Sequence, residues 1–301
     1  MGRYVSILFL LLMFLSAGAF ETKDIMVRNI STEQGLSHHS VNAIWQDEFG
    51  FIWIGTLDGL NRYDGRHFKV FKPEADNPYS ITENNIRQVC GDGDGHLYIR
   101  GLSSLSEFDM RTQRFKMLSD KIKGICVSSG CLWVSYTDVI SVYDRAGGQF
   151  IEKFRFSDKN MSNVVIDGFA VGKKGLIYTW TVSDGLFVIN ENGNIIRHLN
   201  VENVRSVLED SKGNVWIATS SDGVRVLMTD GQILQYSYTA GDDEGTFNNV
   251  RSVCEDKNGD MWMSTYGGLV KLDTHTGQMT HCRYESEHEA FNVLSITPMF
   301  Y

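Results

Sequence analysis

The sequence predicts an all-β protein: a β-propeller of four-stranded blades, with six repeats and the start of a seventh. Three observations predict it. A block of about forty residues recurs along the chain. Each copy divides into four short strands separated by glycine-containing turns. No apolar spacing of 3.6 residues persists for a useful length after residue 20, so helices should be few.

Each copy reads as an apolar strand, a polar turn ending in glycine, an apolar–aromatic–apolar run, a small or polar turn, and a third strand. The signature pairs are Gly50 and Trp53, Gly95 and Tyr98, Gly130 and Trp133, Gly175 and Tyr178, Gly213 and Trp216, and Gly259 and Trp262. The aromatics are spaced by 45, 35, 45, 38 and 46 residues. The mean of about 42 falls within the roughly 40–45 residues of a four-stranded blade. The blades are expected near 41–72, 86–118, 122–156, 164–199, 204–238 and 249–284. The fifth copy shows the division most clearly: strands at Val204–Glu209, Val215–Thr219, Val224–Met228 and Gln232–Tyr236, with glycine turns that tolerate positive φ.

A propeller is favoured over a sandwich because the second strands are apolar at nearly consecutive positions, as in Phe51-Ile-Trp-Ile54. A strand with one wet face alternates; a strand covered on both faces need not. Blades stacked around an axis cover both. The repeat also absorbs residues that look reactive in isolation. Trp45, Cys90, Cys126, Ala170, Leu208 and Cys254 occupy one equivalent slot before the turn. A slot that accepts Trp, Leu, Ala and Cys is a packing position.

The chain begins with Arg3, an apolar run from Val5 to Leu15, and the small residues Ser16-Ala-Gly-Ala19. That pattern predicts a cleaved export signal at 1–19, with the propeller occupying 20–301. No second apolar run follows, so no membrane span is expected in this chain. The formal net charge of −9 argues against nucleic acid, which needs a basic face. The 282 residues after the signal correspond to about 6.7 repeats. Residues 24–31 resemble the outer strand of a blade, and 291–301 resemble the opening of a seventh. The expectation is an incomplete seven-bladed ring, closed in part by the N-terminal strand, in a truncated product or fragment of a longer protein.

Chemical motifs are sparse. Cys90-Gly-Asp-Gly-Asp-Gly95 has the look of a calcium loop but falls on the same hairpin turn as Asp47–Gly50, Asp210–Gly213 and Asp256–Gly259. His38 and His39 are adjacent, and on an extended strand they would face apart. His275, His281 and His288 lack a ligand spacing. Gly241–Gly245 reads as an acidic connector. Cys126 and Cys131 could span one hairpin as a disulfide. Nucleophile-elbow, P-loop and dinucleotide fingerprints are lacking, so no catalytic, cofactor or metal residues are assigned. Of the aromatics, Trp180, Tyr79, Tyr136 and Tyr266 remain outside the repeat core as candidates for a ligand face.

The opening segment carries a resemblance. Gln34-Gly-Leu-Ser37, Val41-Asn-Ala-Ile44, Asp47, Gly50-Phe-Ile-Trp-Ile-Gly-Thr56, Asp58-Gly-Leu60 and Arg62-Tyr-Asp-Gly65 are similar to the periplasmic sensor region of hybrid two-component regulators. Gly213–Thr219 and Gly259–Thr265 look like further copies of their two-component regulator propeller repeats. The second and third copies depart at the turns near Gly101–Ser104 and Asp138. The resemblance implies a periplasmic sensor of oligosaccharides, acting as a homodimer in a full-length protein. That protein would add a second propeller, a small β-sandwich, a membrane span, a histidine kinase and often a receiver with DNA-binding output. The kinase is absent here, so catalysis is not expected. A protein-interaction scaffold and a secreted glycan-active enzyme stay open as alternatives.

Overall fold

A computed structural model of the chain describes residues 21–24, 30–161, 163–237 and 247–283, with 21–24 and 283 through their backbone alone. The first strand is β1 (Glu21–Asp24). Blade one comprises β2 (Val41–Gln46), β3 (Ile52–Thr56), β4 (Gly59–Tyr63) and β5 (Phe68–Phe71). Blade two comprises β6 (Gln88–Gly91), β7 (His96–Arg100), β8 (Leu105–Asp109) and β9 (Arg114–Ser119). Blade three comprises β10 (Gly124–Ser128), β11 (Cys131–Ser135), β12 (Val139–Asp144) and β13 (Gln149–Arg155). Blade four comprises β14 (Ile166–Val171), β15 (Ile177–Thr181), β16 (Gly185–Ile189) and β17 (Ile195–Leu199). Blade five comprises β18 (Val204–Glu209), β19 (Val215–Thr219), β20 (Val224–Leu227) and β21 (Ile233–Tyr236). Blade six comprises β22 (Val250–Glu255), β23 (Met261–Thr265), β24 (Gly268–Leu272) and β25 (Met279–Arg283). Each blade is an antiparallel sheet in chain order, and the inner strands β2, β6, β10, β14, β18 and β22 follow one another around the axis.

The six four-stranded blades are those the repeat predicts. The N-terminal strand differs from expectation. It lies at Glu21–Asp24 and pairs in parallel with β25, Glu21 opposite Thr280 and Asp24 opposite Arg283. It therefore caps the outer edge of blade six as a fifth strand. The physical reason is ordinary: a bare outer strand exposes unpaired backbone groups, and a neighbouring strand satisfies them. Residues 25–29, the export signal at 1–19, the acidic connector Gly241–Gly245 and the seventh-blade segment 291–301 lie outside the described residues.

One local device recurs at the signature turn. Asp47 Oδ1 accepts from the Phe49 and Phe51 amides at 3.0 and 2.9 Å, while Oδ2 accepts from Trp53 Nε1 at 2.7 Å. Asp210 does the same for Lys212, Asn214 and Trp216, and Asp256 for Asn258, Asp260 and Trp262. One carboxylate thus shapes the turn and satisfies the indole N–H that the blade must bury. The signature glycines all have positive φ, from +71 to +87°, which explains glycine at this one position of every repeat. The cross-strand partner of each signature aromatic is the packing-slot residue: Trp45 with Trp53, Cys90 with Tyr98, Cys126 with Trp133, Ala170 with Tyr178, Leu208 with Trp216, and Cys254 with Trp262.

The core lies between blades. Trp53 and Leu60 of blade one meet Ile86, Leu97 and Phe108 of blade two. Tyr98 and Leu105 meet Ile125 and Val134 of blade three. Ile140 and Phe156 meet Phe169 and Phe187 of blade four, and Tyr178 and Leu186 meet Val207 and Ile217 of blade five. Trp216 and Val226 meet Val253 and Met263 of blade six. Among the described residues, no comparable cluster joins blade six to blade one.

Blades three and four depart from the aspartate device in instructive ways. In blade three the hairpin shortens to Ser129-Gly130, both at positive φ, and no aspartate stands six residues before Trp133. In blade four the aspartate position is Gly172. The carboxylate arrives instead from blade five: Glu209 Oε2 accepts from Tyr178 Oη at 2.8 Å. A Cβ on Gly172 would lie 1.8 Å from that same oxygen, so the glycine makes room for the borrowed acid. Arg145 of blade three likewise reaches back to Asp92, Tyr98 and Glu107 of blade two.

Asp210→Ala strands the Trp216 indole and two backbone amides, and should cost about 2–3 kcal/mol in urea unfolding; a change under about 0.5 kcal/mol would contradict the clamp. The same residue sets an acid dependence. Burial pushes the Asp210 carboxyl up, but hydrogen bonds from Trp216, Asn214 and Lys212 outweigh it and hold the pKa below the ordinary 3.8. A carboxyl depressed on folding stabilises the fold above its unfolded pKa, and that contribution fades as pH falls through the folded value. Stability should therefore drop below about pH 4, and Asp210→Asn should show a shallower drop. In blade four, Gly172→Ala should destabilise the parent protein and do so less in a Glu209→Ala background, because the clash is with that carboxylate. Equal costs in both backgrounds would show that the steric account is wrong.

Candidate functional site

A propeller ring has two mouths. At the upper mouth the inner strands begin and the second strands turn into the third. At the lower mouth the inner strands turn through the aspartate device. The two differ in chemistry.

At the upper mouth one residue follows the apolar residue that opens each blade: Asn42, Arg87, Lys123, Asp167, Arg205 and Arg251 in blade order, the second residue of the inner strand in blades one, four, five and six and the residue just before it in blades two and three. In blades one, four, five and six this residue is bulged out of the ladder: the register jumps from Val41 to Ala43, Ile166 to Gly168, Val204 to Ser206 and Val250 to Ser252. Bulges redirect a side chain at strand ends and sites. In blades two and three the residue stays in contact with the second strand, with Arg87 N donating to Arg100 O and Lys123 N to Ser135 O, each at 2.8 Å. Lys123 and Arg205 are exposed; Arg87 and Arg251 are half-buried.

Outside this row stand the tips of the second turns: Leu57, Leu102, Tyr136, Val182, Ser220 and Tyr266. Several are wet apolar side chains, with Leu102 63% and Val182 75% exposed. The backbone links tip to row. Leu57 N donates to Ser40 O, Ser220 N to Asn203 O and Tyr266 N to Asn249 O at 3.0–3.3 Å, each acceptor directly preceding its inner strand. The Arg251 guanidinium lies over the Tyr266 ring, 4.4 Å from its centroid. Tyr79 is held similarly by Arg114 at 4.2 Å.

Beneath the row is a layer of cross-strand pairs: Ala43–Gly55, Gln88–Arg100, Gly124–Ser135, Gly168–Trp180, Ser206–Ala218 and Ser252–Ser264. Arg100 Nε donates to Gln88 Oε1 at 2.8 Å. Burial, and then the adjacent Arg87 guanidinium, lower the Arg100 pKa, while Glu83 opposes them. Ser252 and Ser264 satisfy each other at 2.7 Å. Ser206 faces Ala218 and Ser135 faces Gly124, so each of these buried hydroxyls is left without a partner. A cavity of about 270 Å³ runs below this level, lined by Asn42, Trp45, Arg87, Cys90 and Ile125.

The lower mouth holds a wider cleft of about 720 Å³ between blades one to three, lined by Trp45, Asp47, Glu48, Phe49, Asp92 and Val127. Phe49 is 68% exposed there. Its acids are engaged within the fold: Asp47 by its turn and Trp53, Asp92 by Arg145 and two backbone amides, Glu48 by the Gly95 amide at 2.8 Å.

The six signature glycines sit in the turns at the lower mouth, where Gly50 lines the cleft, and the six aromatics sit in the blades and their joints. Trp53, Tyr98, Tyr178 and Trp216 are buried, whereas Trp133 and Trp262 are half-buried. Trp180, expected as a candidate for a ligand face, is instead in the core between blades four and five, 7% exposed. Gly168 opposite it makes this possible, since a Cβ there would lie 2.2 Å from the indole. His38 and His39 do not splay apart. Their segment is irregular rather than extended, and the rings stack with centroids 4.2 Å apart. Cys126 and Cys131 are not bonded to each other; the register sets Cys126 opposite Trp133 and Cys131 opposite Ser128, so the two do not face each other. Sequence reasoning missed the cluster of Asp260, Asp273 and His275, whose ligand atoms lie within 4.8 Å of one another. Lys271 Nζ already supplies a positive charge there, 2.7 Å from Asp260 Oδ2.

Three comparisons bear on identity. The family described as two-component regulator propeller matches residues 198–221 and 244–267, within and flanking blades five and six. The histidine kinase P4 of Formosa agariphila is 36% identical over 62 residues, which is 21% of this chain and 4% of that protein. The extracellular domain of a hybrid two-component system from B. thetaiotaomicron superposes with a TM-score of 0.71 at 23% identity, over 88% of this chain and 37% of that one. A second such domain from the same organism gives 0.70 at 21% identity, over 89% and 39%. The chain thus spans less than two fifths of those structures. No helix among the described residues is long and apolar enough to cross a membrane. The chain is a propeller of six four-stranded blades in which residues 198–221 and 244–267 match the two-component regulator propeller repeat, and its fold is similar to that of the extracellular domains of hybrid two-component systems.

Proposed function

We propose that this chain is the ligand-sensing propeller of an extracytoplasmic regulator, that it recognises an oligosaccharide, and that it performs no catalysis itself. The observation that carries this reading is the upper mouth. Charged side chains stand there in five of the six blades, at positions the apolar joints do not use, with the second-turn tips beside them. A binding surface assembled from one residue per repeat is the usual way a repeat architecture acquires function. In this reading the chain is exported with its signal removed and works in the periplasm. Its output, through a histidine kinase and dimerisation, resides in parts of a longer protein. A second reading, a scaffold for a protein partner, is favoured by the exposed tips Leu102 and Val182. The acids of the lower mouth give little support to a glycan-cleaving reading, because Asp47 and Asp92 are committed to the fold.

A glycan array probed with the purified chain, followed by calorimetry on the hits, tests the proposal. A saccharide that binds unmodified with Kd below about 1 mM is expected. Absence of binding to every saccharide, alongside capture of a defined protein partner, would favour the scaffold.

A further inference from the structure

Resting on the sensing role just proposed, we infer that the upper mouth selects an anionic oligosaccharide, one bearing carboxylate or sulfate groups, and that Arg87, Lys123, Arg205 and Arg251 read its charge. Four of six equivalent positions are basic in a chain whose net charge is −9. Chance placement would favour acids. None of the four forms an ion pair among the described residues, whereas Arg145, Arg155, Arg225, Lys72 and Lys271 elsewhere each do.

Three of the second-turn acids are paired away from the row, while Asp184 accepts from the Ser183 hydroxyl and forms no ion pair among the described residues. Asp58, Asp138 and Asp222 of the second turns pair with Lys72, Arg155 and Arg225. Glu83 accepts from the Ser103 hydroxyl at 2.6 Å, which keeps it ionised, and its charge offsets part of Arg100 rather than the row. Asp167 is the single acid in the row itself. Arg100 adds a fifth cation just below, next to Arg87. Unneutralised guanidinium groups at a ring mouth favour oxyanions, and arginine's planar fork matches carboxylate and sulfate. Arg251 is oriented by the Tyr266 face, which fixes the plane of its fork.

Size and polarity argue for a small glycan over a macromolecule. The cavity beside Arg87, about 270 Å³ and lined by the inner strands of blades one to three, is just smaller than the roughly 300–1,000 Å³ of small-ligand pockets and is the size for one sugar unit rather than a macromolecular surface. Two buried hydroxyls, Ser135 and Ser206, lack partners in the layer under the row, where the equivalent serines of blade six satisfy each other. Unmet buried hydroxyls cost stability unless a ligand or water satisfies them. The tip Tyr266, 47% exposed, flanks the row with aromatic surface suited to a pyranose face.

The test is calorimetry on the full chain with tetragalacturonic acid and a sulfated disaccharide as anionic probes, cellotetraose as a neutral control and sodium sulfate as a simple-anion control. At least one anionic probe should bind, with affinity falling steeply as salt rises from 50 to 500 mM, as expected for screened surface charge. Arg205→Glu and Lys123→Glu, both at exposed positions, should each weaken it at least tenfold while far-UV circular dichroism and melting temperature stay unchanged. Binding of cellotetraose as tightly as the acidic probes would overturn the anionic preference and keep the sensing role. Sodium sulfate binding as tightly as the saccharides would also overturn it, reducing the mouth to a generic anion site. Failure of every saccharide, charged or neutral, would overturn both.

Discussion

A blade of four strands has two apolar faces and can bury neither by itself. That constraint organises the molecule. Trp53 of blade one is covered by Phe108 of blade two, with ring centroids 5.2 Å apart, and Trp216 of blade five by Val253 and Met263 of blade six. Burying such side chains stabilises by about 1.5–3 kcal/mol each, so the joints between blades, not the blades, hold the stability. Everything polar in the repeat serves this burial. The turn aspartate exists because an indole N–H cannot enter a joint unsatisfied. Where the aspartate is lost, in blade four, a glutamate from the next blade takes over the Tyr178 hydroxyl.

The same constraint frees one surface for function. Joints fix the second and third residues of the signature run, and turns fix the aspartate and glycine. The residue at the start of each inner strand, bulged out in four of the six blades, is fixed by neither. It varies as Asn42, Arg87, Lys123, Asp167, Arg205 and Arg251, while the residue beside it stays apolar: Val41, Ile86, Ile122, Ile166, Val204 and Val250. Variation at a geometrically constant place is what a recognition surface on a repeat scaffold requires. The lower mouth lacks this freedom, since its acids shape turns and bridge blades.

The blade architecture was legible because its signal is written six times. Gly50 to Trp53 and its copies give the second strand, and the shared slot of Trp45, Cys90 and Cys254 marked a packing position before any contact was known. The place of the N-terminal strand was not legible, because Glu21–Asp24 finds its partner through backbone pairing with β25, which leaves little trace in side chains. Trp180 was misjudged because its burial depends on Gly168, twelve residues earlier on a neighbouring strand. The exchange of Gly172 for Glu209 was hidden for the same reason: it is a contact between blades. The cationic row is written in the sequence, directly after the apolar residue that opens each blade, but it appears only when the repeats are aligned.

The most direct measurement of whether joints carry the stability is hydrogen exchange on Trp216→Ala, a change of about 3–5 kcal/mol if the indole fills a shared core. Peptides from both blade five and blade six should lose protection together, while those from blades one to three keep theirs. Loss confined to blade five, with blade six as protected as in the parent, would mean that blades are independent units and that the mutual burial described above is not what holds the ring.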